Sequence, residues 1–346
     1  VGEIVVAVDA GGADMGAREV LAGAEIAAGR GTRVLLFGPA RELGAPPPGV
    51  EIVDAPLSVA KSPDPASAVR RAPHSSIVQA CTAVAQGRAQ ALVCAGGTGA
   101  ALAAGLFNLK RARGIHRPAL ALPLPVPSHP VTLLDVGANA QARSEHLVQF
   151  AFMGAAFAQA LLGVPSPRVG LLSNGEERTR GSETVVRAGE QLERRMGGPM
   201  RFVGNVEGGD VVSGAADVIV TDGFTGNVAL KLMEGVSQAT LTAVRDAALS
   251  SGRGRLGGLL LRPALRSFRE RIDPEAQGGA YLLGLRSLMV VPHGRFAREG
   301  FAQAIVRAQR GAREDLVGAT HAALHAAGAL RSAPVSAEAA SLTGDR

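Results

Sequence analysis

The stretch Ala91–Leu106, ALVCAGGTGAALAAGL, decides the fold. Its first four residues form a continuous apolar run, the pattern of a strand buried on both faces. Gly96, Gly97 and Gly99 then interrupt it, and an Ala-rich, helix-forming stretch follows from Ala100. The same succession starts at Ile4–Val8, Thr132–Leu134, Arg168–Leu172 and Val218–Thr221, and Val34–Phe37 is another strand-like run. Strands alternating with helices make β-α units joined by right-handed crossovers. The chain therefore reads as α/β: three layers, α/β/α, with a mostly parallel twisted sheet and a helical protrusion. Ligands of such sheets bind beyond the carboxyl ends of the strands. Five Gly-rich loops at one such end would line a single crevice.

Residues 1–328 read as one domain, with the protrusion at about 240–275, where no strand signal occurs. Pro46–Pro48 marks a surface loop, and the small, polar stretch 329–346 reads as a disordered tail. No solenoid-type repeat is present.

Composition narrows the function. The 346 residues are 47% hydrophobic and 19% charged, enough to bury a large core. With no Trp, one Tyr and 3% aromatics, the chain lacks stacking platforms for single-stranded nucleic acid. The formal charge of +6 favours acidic partners, but no long basic run suggests DNA, so no nucleic-acid partner is expected. Only Lys61, Lys110 and Lys231 are lysines; the other basic residues are arginines. Cys81 and Cys94 form neither a disulfide framework nor a zinc spacing. The most apolar stretch, Pro118–Leu134, is broken by Pro123, Pro125, Pro127 and Pro130 and does not read as a membrane span. A cytoplasmic protein is expected, with no signal peptide ahead of Ile4.

The loops carry the chemistry. In DAGGAD, Asp9–Asp14, bare glycines such as Gly12 allow a tight turn and close backbone approach, and N–H groups at the next helix start can hold an anion. In Cys94–Ala100, Gly96, Gly97 and Gly99 with the Thr98 hydroxyl make a cradle for phosphate or a carbonyl oxygen, or simply a tight turn. Cys94 has no evident His partner and reads as buried and inert. In DVGANA, Asp135 and Asn139 either orient a ligand or form an Asx-turn and helix cap. Arg180, in the charged loop Ser173–Glu183, either meets phosphate or solvent. Asp222, Thr225 and Asn227 occupy a strand-to-helix turn, with Lys231 further into the helix, where a cation could stabilise developing negative charge. His293 follows the apolar run Leu288–Val291 and is either structural or catalytic.

Together these motifs resemble the phosphate acyltransferase family of the PlsX type, from about Ile4 to about Arg313. The resemblance rests on LLDVGANA (Leu133–Ala140), EHLVQFAFMG (Glu145–Gly154) and DVIVTDGFTGNVALKLMEG (Asp217–Gly235). RPALALPLP (Arg117–Pro125), GLLLRPALRSF (Gly258–Phe268) and GGAYLLGL (Gly278–Leu285) add to it. It implies transfer of a fatty acyl group from acyl carrier protein to inorganic phosphate, giving acyl phosphate for phospholipid synthesis. No metal or redox cofactor is implied. Lys231, His293 and Asn227 become the candidate catalytic groups. Asp9, Gly12, Asp14, Gly96–Gly99, Asp135, Asn139, Arg180, Asp222 and Thr225 become the substrate loops.

The resemblance also implies a homodimer and contact with an anionic membrane at the inner face of the cell membrane. Leu261, Leu265, Phe268 and Ile272 share one helical face, and Arg262, Arg266, Arg269 and Arg271 supply a basic side. A helix packed in a dimer or on the body would show the same pattern. The chain departs from the family at Gly11, Ala13, Gly97, Ala72–Pro73, Ser173, Arg180, Arg295 and Phe296. Two other readings fit these departures: a short-chain phosphotransacylase using acyl-CoA, and a silent scaffold binding lipid or acyl carrier protein. A dehydrogenase fits less well, because no dinucleotide fingerprint with its acidic partner occurs.

Overall fold

The computed structural model describes residues 2–126, 131–195, 200–271 and 277–331. Its centre is an eleven-stranded sheet: β1 Val5–Asp9, β2 Arg33–Gly38, β3 Val50–Asp54, β4 Ala91–Cys94, β5 Ala119–Leu124, β6 Val131–Leu134, β7 Arg168–Leu172, β8 Arg201–Val206, β9 Val218–Val220, β10 Ala280–Leu283 and β11 Leu288–Val291. Their spatial order is β3-β2-β1-β4-β11-β10-β5-β6-β9-β7-β8. Strand side chains alternate between two faces, and each face has its own apolar core. Val6, Val8 and Val93 pack with Phe150, Phe157 and Phe301 on one side. Ala7, Leu92 and Leu133 pack with Ile77, Ala101 and Ile219 on the other. The result is the expected three-layer α/β/α arrangement.

Most neighbours are parallel, but β10 is antiparallel to β11 and to β5, and β5 is antiparallel to β6. That odd number of reversals turns β6, β9, β7 and β8 opposite to β1, β2, β3, β4 and β11. The five Gly-rich loops therefore do not leave the sheet from one end, as expected from sequence. DAGGAD and CAGGTGA leave from one edge; DVGANA, the Ser173–Glu183 loop and the Asp222 turn leave from the other.

Register brings the two sets together. A single row of partners crosses the sheet: Val8, Val93, Val290, Tyr281, Ala121, Leu134 and Val220. β1, β4 and β11 end one residue beyond this row from below, and β6 and β9 end on it from above. The carboxyl ends of the two halves thus meet at one line, separated laterally by β10 and β5.

Of the proline-rich stretch Pro118–Leu134, residues 127–130, Pro127 and Pro130 among them, lie outside the described residues, and the rest is strand or strand end. β5 is a central strand where Ala119–Ala121 pair with β10, but its pairing with β10 has ended at Pro123, which faces Thr132 of β6 alone. A proline fits where one side of the ladder is open. Beyond β9, the helix Gly223–Leu249 and the helix Gly252–Arg271 follow in sequence. Ala329 and Leu330 pack against the core, and the Arg331 N–H donates to the Gly114 carbonyl at 2.8 Å. Of the stretch read as a tail, residues 332–346 lie outside the described residues.

Candidate active site

The β1 and β4 loops are packed backbone to backbone. A β-carbon on Gly12 would lie 2.3 Å from Gly96 Cα and 2.4 Å from the Ala95 carbonyl oxygen. A third segment, which follows β3, covers them: a β-carbon on Gly97 would meet the Ala60 carbonyl oxygen at 2.7 Å, and one on Gly99 the Pro65 ring at 2.9 Å. Only glycine permits these approaches. Thr98 is exposed on the same loop.

Asp9 lies beneath this junction, fully buried. It accepts the Gly11 N–H at 2.9 Å and the Cys94 thiol at 3.5 Å, and it is also hydrogen-bonded to Ser76. Burial pushes its carboxyl above the ordinary carboxylate range despite these bonds. The Cys94 thiol is raised still more, first by burial and then by Asp9, so this cysteine stays protonated. Asp9 orders the turn from below and has no surface of its own.

Asp14, by contrast, is half exposed and links three loops. Its N–H donates to the Gly294 carbonyl at 2.9 Å, and Lys61 Nζ lies 3.5 Å from its Oδ1. Lys61 escapes sequence reading because its loop shows no periodicity; the rarity of lysine in this chain was the one available signal. Next to Gly294, His293 Nδ1 accepts the Arg295 N–H at 3.2 Å, which leaves the proton of the neutral ring on Nε2. Burial, then the charges of Arg295 and Lys231, hold His293 below the ordinary histidine value. It is neutral at pH 7 and presents an N–H donor.

On the opposite half, Asp135 is buried and internally satisfied. Its Oδ1 accepts N–H groups of Leu120, Gly137 and Ala138 at 3.1, 3.1 and 2.8 Å, and its Oδ2 accepts both the backbone and side-chain N–H of Asn139 at 2.8 Å. Burial raises its pKa, and these bonds counter the rise. Asn139 also donates to the Pro118 carbonyl at 2.7 Å. Asp222 caps the helix Gly223–Leu249, accepting the Thr225 N–H and hydroxyl, each at 2.8 Å. Asp135 and Asn139 therefore build their own loop, the Asx-turn and cap alternative of the sequence, and Asp222 and Thr225 build the helix start that follows β9.

That helix joins the two halves. At its first turn Asn227 is exposed, with its Cβ 4.0 Å from where a Gly137 β-carbon would be. Lys231 follows one turn later, about 6 Å along the axis at 1.5 Å per residue. It pairs with Glu234 at 3.1 Å while remaining half exposed, and both charges act on His293 together with Asp14. Lys231 of one half and His293, Asp14 and Lys61 of the other are thus electrostatic neighbours, although the strands behind them run in opposite directions, and Asn227 stands one turn before Lys231 on the same helix.

Other expected groups lie elsewhere. Arg180 pairs with Glu177 at 3.5 Å and its carbonyl accepts from Asn205 of β8; among the described contacts none joins it to Lys231 or His293. Leu261, Arg262 and Arg266 are exposed on the helix Gly252–Arg271. The side chains of Leu265, Phe268, Arg269 and Arg271, and Ile272 altogether, lie outside the described residues.

The sequence model of a family described as "Fatty acid synthesis protein" matches residues 4–318. A phosphate acyltransferase of Desulforudis audaxviator is 42% identical over 317 residues, covering 90% of this chain and 94% of the relative. One of Thermobifida fusca is 44% identical over 313 residues, covering 88% and 86%. Among solved structures, a phosphotransacetylase from Streptococcus pyogenes superposes with a TM-score of 0.61 at 16% identity, covering 91% of this chain and 95% of that one. A branched-chain phosphotransacylase from Enterococcus faecalis gives 0.56 at 17%, covering 89% and 99%. At these identities the structural matches show the fold alone.

Proposed function

The chain belongs to this fatty acid synthesis family and, within it, to the phosphate acyltransferases; from that premise we propose how its crevice works and what donor it takes. The enzyme transfers an acyl group to phosphate, a step of phospholipid synthesis. The donor in our reading is a fatty acyl thioester of acyl carrier protein. The observations that carry the site assignment are the effect of the Lys231 charge, from the second half, on His293 of the first, and the bond from the Asp14 N–H to the Gly294 carbonyl beside that histidine.

In this reading Lys231 and Lys61 hold the phosphate dianion against the bare backbone of Gly96–Gly99. A phosphate oxygen attacks the thioester carbonyl carbon, forming the C–O bond. The carbonyl oxygen becomes an oxyanion, which the His293 Nε2–H and the Asn227 amide stabilise; donors preorganised in this way act where charge develops. Collapse breaks the C–S bond, and the proton that the phosphate carried ends on the departing thiolate. Asp9, Gly12, Asp135, Asn139, Asp222 and Thr225 position these groups from behind, Asp14 ties Lys61 to the His293 loop, and Arg180 is left to the rim.

Membrane contact and a homodimer belong to the same reading. No helix among the described residues is long and apolar enough to cross a membrane. Leu256, Leu259, Leu260 and Leu261 are nevertheless exposed on the helix Gly252–Arg271 beside Arg262, a surface suited to anionic lipid or to a second copy.

The test is phosphate-dependent loss of long-chain acyl-acyl-carrier-protein, with acyl phosphate trapped as its hydroxamate. Turnover with the carrier-bound donor supports the reading. Turnover with short acyl-CoA only makes the enzyme a short-chain phosphotransacylase, and donor binding without turnover makes it a scaffold.

A further inference from the structure

Four cations meet where the chain enters β5 and leaves β10, and a fifth, Arg113, is exposed on the same segment. Lys110, Arg111 and Arg331 line an open cavity of about 380 Å³. A backbone bond draws in one more, the Arg286 N–H donating to the Lys110 carbonyl at 3.0 Å, and the Arg113 backbone beside them meets the His321 ring at 3.2 Å. Arg286 Nε donates to the Arg111 carbonyl at 3.3 Å, and the Arg331 N–H holds Gly114, next to Arg113. Lys110, Arg111, Arg286 and Arg331 are exposed, and among the described residues none of the five forms an ion pair. Several other arginines of the body have a carboxylate partner: Arg30 with Glu299, Arg168 with Asp217, Arg298 with Glu19. Burial above all holds His116 below the ordinary histidine value; Glu145 opposes this, and Arg331 and Arg111 of the patch add to it.

Unpaired cations of one sign around a concavity attract and orient an anionic partner. The cavity is polar-rimmed and shallow, which fits acidic side chains of a protein surface better than an apolar ligand. Its position fits delivery to the crevice. Gly114 is four residues from Pro118, at most about 14 Å along an extended chain, and the Pro118 carbonyl holds Asn139 in the DVGANA loop beside Asn227.

We propose that Lys110, Arg111, Arg113, Arg286 and Arg331 form the docking surface for the acidic carrier protein that presents the acyl thioester, with the flexible prosthetic arm passing Arg117–Pro118 to reach Lys231. This rests on the carrier-protein donor argued above. The complex is electrostatic at its rim, so it forms fast and weakens with salt.

The experiment compares two donors of one acyl chain, acyl-acyl-carrier-protein and acyl-pantetheine, on the full-length enzyme. Lys110→Glu with Arg331→Glu should lower kcat/KM for the carrier-bound donor at least tenfold and flatten its salt dependence. It should leave acyl-pantetheine and the phosphate KM unchanged. Lys110→Gln with Arg331→Gln, a milder pair, should give the same direction with a smaller loss. Equal losses for both donors would overturn the proposal, because the patch would then act on folding or chemistry. Unchanged carrier kinetics, with or without loss of binding to vesicles containing anionic lipid, would overturn it too. A wild-type enzyme that uses acyl-pantetheine but never the carrier-bound form would overturn the donor assignment itself, a separate result read before any variant is made.

Discussion

Gly226 approaches Asp135 so closely that a β-carbon on it would lie 2.0 Å from the Asp135 carbonyl oxygen. The contact seats the first turn of the helix Gly223–Leu249 on the DVGANA loop, and through that helix it sets where Lys231 stands. Gly226→Ala must push backbone away from backbone, which nothing flexible can absorb. It should destabilise the fold by about 1–3 kcal/mol, the usual cost of overpacking, and reduce turnover in whatever remains folded. Gly235, in the same helix, has open space where its β-carbon would go. Gly235→Ala should stabilise by about 0.5–1 kcal/mol, the helix penalty of glycine, without changing turnover. Urea denaturation and steady-state assays of the two variants check both signs.

Lys231 and Lys61 should separate kinetically. The Lys231 charge acts on His293 of the other half, so Lys231→Ala should lower turnover at least tenfold without unfolding the protein. Among the described residues Lys61 pairs with Asp14 alone, at 3.5 Å, so Lys61→Ala should act mainly on the phosphate KM, and Lys61→Arg should restore part of it. Phosphate titrations at saturating donor, with circular dichroism of each variant, decide the matter. Wild-type turnover in a folded Lys231→Ala protein removes that lysine from the mechanism.

His293 gives the pH dependence. Partial burial and the neighbouring Arg295 and Lys231 lower its pKa below 6.5. At pH 7 it is neutral, and it becomes charged only as pH falls below the ordinary histidine range. Once protonated at Nδ1, it can no longer accept the Arg295 N–H, so the ring is released from its position. The rate should hold from pH 8 to about 6.5 and fall on the acid side. His293→Gln should abolish that acid limb while lowering the maximum; a limb that survives belongs to another group.

The glycine loops were legible because each one follows a short buried strand, as CAGGTGA follows Ala91–Cys94. The strand directions were not. β10 is four residues between glycines, and β5 carries Pro123, so neither shows the pattern of a central strand. Missing those two hid the reversal that sends the loops to opposite edges. Lys231 was legible as a residue near a loop, but that its charge acts on His293 depends on how the two halves of the sheet meet, which local pattern does not show. Asp135 and Asn139 read equally as ligand groups or loop builders, because spacing alone cannot tell where a carboxylate finds its donors. The Lys61 segment and the unpaired cations from Lys110 to Arg331 depend on contacts distant in sequence, to which local pattern is blind.

Asp9 offers a test of the buried layer beneath the site. It is enclosed completely, and burial raises its pKa above the ordinary 3.8 even though Ser76, the Gly11 N–H and Cys94 all favour the charged form. A group that binds its proton more tightly in the folded state contributes stability that is full below the unfolded pKa and is lost as pH rises through the folded one. Asp9→Asn cannot ionise, so it escapes that loss, although its amide replaces one acceptor with a donor and disturbs the bonds to Ser76 and Cys94. The variant should therefore be the less stable protein near pH 3.8 and gain on the wild type as pH rises towards neutrality. Denaturation at several pH values measures the difference, in which the other carboxylates cancel. A difference that stays flat, or moves the opposite way, would mean that Asp9 is ionised as readily inside the protein as in water. The DAGGAD turn would then rest on a buried charge rather than on a carboxyl that resists ionisation.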